Sequence, residues 1–144
     1  MSVVNEYLKI KRKKNIGKMK YFINMLNNND LIQLLEFNIE IVKYRTNISK
    51  KVQLFIFNNY MTKNGRYYTI RYIKFIKKMD STVQWKLVKQ DILNIKYIKN
   101  PNEDVQLYVI SSCNHINRLL YVRKYLNFKD ERIRTFYNVK LLMI

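Results

Sequence analysis

The sequence predicts an α+β fold made of two small lobes. Segments such as EFNIEIVKY and ILNIKYI alternate apolar and polar residues with a period of two, as half-buried strands do. By contrast, NISKKVQLFIF places Ile48, Val52, Phe55 and Ile56 at helical spacing. The two kinds of segment follow one another as helix, strand, helix and strand, with a mainly β second half that carries one short helix, which is the α+β order. The chain has 144 residues, 48% of them hydrophobic, enough for one ordinary domain with a core.

Each element follows from local chemistry. The stretch KIKRKKNIGKMK makes residues 1–20 a basic N-terminal arm, either solvated or touching phosphates. An N-terminal α/β lobe, residues 21–79, opens with MKYFINMLNN, an amphipathic helix with Phe22, Met25 and Leu26 on its apolar face. Phe37, Ile39 and Ile41 then alternate with Asn38 and Glu40 as a strand. Thr46, Asn47 and Ser49 are candidate N-caps for the second helix, and Gly65 suits its C-terminal stop. Tyr68, Ile70, Tyr72 and Ile76 share one face of a long strand or hairpin.

The C-terminal lobe, residues 80–144, reads as mainly β. TVQWKLVKQ fits either state, whereas Leu93, Ile95 and Tyr97 line one face of a strand. Pro101 sits in the polar turn KNPNED, and VQLYVI is a nearly continuous apolar strand. NRLLYVRKYLNF reads as a helix with Leu119, Leu120 and Tyr125 inward and Arg118, Arg123 and Lys124 outward. TFYNVKLLMI closes the chain as a strand with Tyr137, Val139, Leu141 and Met143 on one face. No internal repeat or flexible linker stands out.

Charge narrows the function. The chain has 28 Lys and Arg against 10 Asp and Glu, a formal net charge of +18. A folded domain with that excess repels itself unless a polyanion neutralises it, and nucleic acid is the first candidate partner. Alanine is absent, glycine and proline are scarce, and Lys, Asn, Ile, Tyr and Phe abound. That is the imprint of an AT-rich genome, which also makes part of the lysine content a codon default. One cysteine excludes an internal disulfide, and no apolar run reaches the roughly 18 residues of a membrane span.

The segment VISSCNHINRLL holds the lone cysteine, Cys113, and the lone histidine, His115. A zinc site needs more soft or nitrogen ligands than these two, so no metal is expected. A Cys–His nucleophilic pair needs hydrogen-bond reach and an orienting third group, and no such group is evident. Carboxylates are scattered and no glycine-rich phosphate loop exists, so the expectations are no catalytic residue, no cofactor and no small-molecule substrate. Ser111, Ser112, Cys113, Asn114 and His115 instead form a polar loop between an apolar strand and a basic helix. Such groups suit the 2′-hydroxyls and base edges of RNA, with Lys96, Lys99, Arg118, Arg123 and Lys124 on phosphates. The arm residues Lys11, Arg12, Lys13 and Lys14 extend that set, and Tyr97 or Tyr121 offers a ring on which a base stacks.

The order of segments resembles small-subunit ribosomal protein eight from about residue 21 onward. FINMLNNN is similar to that family's opening helix, IEIVKYRTNISKKV to its strand and cap, and Lys63, Asn64 and Gly65 with Tyr67 and Tyr68 to its glycine-aromatic turn. The element spanning residues 89–97 stands for its Lys-Pro-Gly turn, and residues 109–116 for its serine-rich RNA loop. There Ser111, Ser112 and Cys113 stand for Ser, Thr and Ser, and His115 for a glycine. The Lys-Pro-Gly turn and a later Gly-Gly pair are not kept. The resemblance implies a non-catalytic structural constituent that binds small-subunit ribosomal RNA and touches neighbouring small-subunit ribosomal proteins, away from membranes, in a mitochondrial ribosome. Two other classes fit the composition: a viral or plasmid nucleic-acid-binding accessory protein, and a basic structural subunit of an organellar membrane complex.

Overall fold

Short polar side chains punctuate this chain. Ser2, Asn15, Asn27, Ser49, Asp80 and Asp130 each accept a backbone N–H from the first turn of the helix that follows. The computed structural model describes residues 2–61 and 72–144. Its helices are α1 (Val3–Arg12), α2 (Ile16–Met25), α3 (Asn28–Phe37), α4 (Lys50–Ile56), α5 (Ser81–Gln90), α6 (Glu103–Ser112), α7 (Ile116–Val122) and α8 (Glu131–Met143). Short 3-10 segments, Ile39–Tyr44, Ile92–Tyr97 and Arg123–Tyr125, join them, and a π-helical turn, Phe57–Met61, extends α4.

The described residues contain no strand and are all-α, which overturns the α+β expectation with a mainly β C-terminal half. The buried positions show why. In VQLYVI the buried residues are Val105, Gln106, Val109 and Ile110, a spacing of four that only a helix produces. Ile133 and Tyr137 repeat that spacing in α8, while Val139 and Met143, expected on the same face as Tyr137, are 51% and 75% exposed. In ILNIKYI the buried residues are Ile92, Ile95 and Ile98 rather than Leu93 and Tyr97, the three-residue period of a 3-10 turn. EFNIEIVKY behaves alike: Phe37 ends α3 and is exposed, and Ile41 and Val42 are buried inside a 3-10 segment. The ambiguous TVQWKLVKQ is helical in α5. Tyr72 and Ile76 are buried without forming a strand, and Gly65, Tyr67, Tyr68 and Ile70 lie outside the described residues.

A repeat emerges that the sequence reading missed. The N-caps of α3 and α4 are Asn27 and Ser49, and those of α5 and α6 are Asp80 and Asn102; from 27 to 49 and from 80 to 102 are equal steps of 22 residues. Within each step the first helix ends at an Asx turn. Asn38 and Asp91, with φ of −153° and −158°, accept from Glu40 N and Leu93 N at 3.0 Å each. A six-residue 3-10 segment follows in both, ending in a Lys-Tyr pair, and the next helix buries a glutamine. Gln53 and Gln106 donate through Nε2 to the carbonyl five residues earlier, Ile48 O and Pro101 O, at 2.8 Å in both cases.

The chain divides into two compact units, Met1–Lys78 and Met79–Ile144. In the first, α1 packs on α2 and α3, and α3 packs on the first 3-10 segment and α4. Tyr7, Ile23, Leu31, Leu34, Leu35, Val52 and Ile56 centre its core. The basic stretch expected as an arm is mostly helical here, with α2 burying Met19 and Ile23 rather than Met25, which is 67% exposed. Arg45 stitches the α2 C-terminus, donating through Nη1 to Ile23 O at 2.7 Å and to Leu26 O at 2.9 Å. In the second unit, α5 packs on the 3-10 segment Ile92–Tyr97 and on α6, α6 packs on α8, and α7 packs against that same 3-10 segment.

Candidate nucleic-acid interface

The residues singled out in the sequence fall into three groups. Lys11 and Arg12 lie in the last turn of α1, Lys13 is its C-cap and Lys14 follows with φ of 51°; all four are exposed. Cations there meet the partial negative charge of the helix C-terminus, so part of their role is local.

The second group is residues 111–115. Ser111 and Ser112 form the last turn of α6 rather than a loop after a strand, and Cys113 is the C-cap. The Ser111 hydroxyl donates to Tyr108 O at 2.8 Å, and Lys140 Nζ donates to Ser111 O at 3.0 Å. Cys113 is fully buried, its thiol donating to Val109 O at 3.2 Å. Burial pushes the Cys113 pKa up, against the opposing pull of Lys140 and Arg118. A raised pKa suppresses the thiolate that nucleophilic chemistry needs. Asn114 and His115 are exposed, Ser112 half-buried, and among the described residues no group of three His, Cys, Asp or Glu is placed to hold a metal ion. The expected RNA loop thus has one hydroxyl committed to its own helix and one member inside the core.

The third group is brought together. Lys96 and Tyr97 end the 3-10 segment Ile92–Tyr97, and Tyr121, Arg123, Lys124 and Tyr125 come from α7 and the turn after it. Lys124 Nζ stands 4.5 Å from the Tyr121 ring centroid and 5.2 Å from that of Tyr125; Lys96 Nζ stands 4.9 Å from that of Tyr97. The Tyr121 and Tyr125 rings are 5.8 Å apart and tilted by 55°. Lys96 is held above the usual lysine range, first by its hydrogen bond with Tyr97 and then by attraction to the Tyr97, Tyr121 and Tyr125 phenols. The Tyr125 phenol is held below its usual value, first by the hydrogen bond with Tyr121, with Lys124 and Lys96 adding to the effect and desolvation opposing it. No carboxylate is among the groups acting on either residue.

An open groove of ≈ 420 Å³ adjoins this cluster, lined by Leu120, Arg123, Lys124, Leu126 and Phe128. The Arg123 guanidinium lies 4.9 Å from the Phe128 ring centroid, and Phe128 packs edge-on against Tyr137. Leu120, expected inward, is 53% exposed at this rim, and Tyr125, also expected inward, is half-buried at the cluster's edge. Surface cation–π contacts of this kind are worth only about 0.5–1 kcal/mol each. Contacts that weak hold a cation against its ring at little cost to a competing phosphate. Sequence reasoning named Lys96, Tyr97, Tyr121, Arg123 and Lys124 but missed Tyr125 and Phe128. The spacing of Tyr121, Lys124 and Tyr125, which share one face of a helical turn, was the available signal. Lys99 and Arg118, also singled out, are exposed, the former just beyond Tyr97 and the latter on α7.

No helix among the described residues is long and apolar enough to cross a membrane. No family model, curated protein or solved structure matches this chain.

Proposed function

We propose that this protein is a non-catalytic helical scaffold that binds nucleic acid through exposed cations, with RNA as the expected polymer. The observation that carries this reading is the clustering of Lys96, Lys124 and Arg123 with the Tyr97, Tyr121 and Tyr125 rings, beside a groove whose lining contains no carboxylate, in a chain of net charge +18. Lysines and arginine supply phosphate contacts, and tyrosine rings supply faces for bases. The narrower form of the proposal is a constituent of the small ribosomal subunit in a mitochondrion, and it predicts co-sedimentation of the native protein with small subunits. The segments expected as that family's strands are helical here, so the reading is carried at the level of the polymer class.

Fluorescence anisotropy with labelled RNA and DNA oligonucleotides, titrated across salt, tests it. The expected result is an affinity that falls linearly with salt on logarithmic axes, by about 0.7–0.9 log units per phosphate contact. The double variant Lys96→Glu, Lys124→Glu lowers that slope. A salt-independent affinity, or none at low salt, overturns the reading.

A further inference from the structure

The 22-residue spacing breaks once within the second unit, and the break is informative. From the α6 cap at 102 to the α8 cap at 130 is 28 residues, six more than the steps from 27 to 49 and from 80 to 102. In the shorter steps the connector is a single 3-10 segment ending at Lys43–Tyr44 or Lys96–Tyr97. In the longer one it becomes α7 plus the turn Arg123–Tyr125. The lengthened connector carries Tyr121, Arg123, Lys124 and Tyr125, and α7 packs against the segment that ends in Lys96–Tyr97. Insertions in helical repeats gather on one face, commonly the binding face.

We propose that this lengthened connector makes a stacking site for unpaired nucleotides, so that the protein binds single-stranded nucleic acid in preference to duplex. The inference rests on the nucleic-acid reading above and names its ligand class. A duplex keeps its bases stacked inward and offers these side chains little but phosphate. An unpaired strand offers base faces to the Tyr121 and Tyr125 rings while Lys96, Arg123 and Lys124 take the adjoining phosphates. The corresponding Lys43–Tyr44 pair differs: its groove, lined by Glu40, Lys43, Tyr72, Lys74 and Phe75, carries a carboxylate that opposes phosphate. It serves as an internal control.

The test compares one oligonucleotide, single-stranded and as its duplex, in RNA and DNA versions, with polyphosphate as a base-free polyanion. Wild type is expected to favour the single strand over the duplex by about tenfold. Tyr121→Leu with Tyr125→Leu should abolish that preference while leaving duplex and polyphosphate affinities in place. Tyr121→Phe with Tyr125→Phe, which keeps both rings, should retain it, as should Tyr44→Leu. Far-UV circular dichroism checks that each variant keeps wild-type helicity. Equal affinity of wild type for both forms overturns the inference while nucleic-acid binding stands. So does a leucine double variant that keeps the preference. Failure to bind any of the three polyanions removes both readings together.

Discussion

At the scale of single residues, three buried glutamines carry the connectors. Gln53, Gln84 and Gln106 are each at most 4% exposed, and each donates through Nε2 to the carbonyl five residues before it. Gln84 and Gln106 also accept through Oε1, from Asn102 N at 2.8 Å and from Asn127 N at 2.7 Å. A helix start folded against a preceding connector leaves such backbone groups without intrahelical partners, and a long amide reaches both sides at once. Gln106→Leu keeps the bulk but strands Pro101 O and Asn127 N, so urea denaturation should show a loss of about 2–3 kcal/mol. A loss below about 0.5 kcal/mol would mean that water satisfies these groups and that the amide is dispensable. The signal lay in plain view as Val-Gln-Leu at 52–54 and again at 105–107. It went unread because the first copy reads as part of a helix and the second as an apolar strand, so the two do not invite comparison.

At the scale of elements, caps decide between helix and strand. Val, Ile, Tyr and Phe favour strands by propensity, and they recur along the whole of this chain. Against that background Asn38 and Asp91, each accepting an N–H two residues on, end one helix and start a 3-10 turn. At α6, a stretch rich in β-branched residues, Asn102 makes no side-chain capping bond, and Glu103 and Asp104 in the first turn supply the favourable charge instead. Six-residue segments hold too few positions to separate a period of two from a period of three, so sequence reasoning took the wrong one. The α8 start makes the dependence on caps measurable, since Asp130 accepts from Arg132 N at 2.9 Å and Ile133 N at 3.5 Å. Asp130→Ala should cost about 1 kcal/mol in thermal or urea denaturation, and Asp130→Asn much less. Equal losses for both would make the effect electrostatic rather than a matter of capping geometry.

At the scale of the whole molecule, the surplus of positive charge opposes folding, and raising the ionic strength screens it. Raising salt from low to near-physiological levels should lift the melting temperature by about 2–4 °C, the shift that about 1 kcal/mol produces in a chain of this length. A melting temperature that falls with salt would show that attractive surface pairs, such as Arg132–Glu103, outweigh the repulsion. By itself the sequence determined the cationic character, the insufficiency of one cysteine and one histidine for a zinc site, the candidate cap at Ser49, and most members of the Lys–Tyr cluster. These are properties of composition and of side chains close in sequence. Only the tertiary structure decided that every described element is helical and that Cys113 is buried in the core. It also decided that α7 packs against the segment ending in Lys96–Tyr97. Which of several permitted periods is buried depends on what each segment packs against, and local pattern carries no record of that partner.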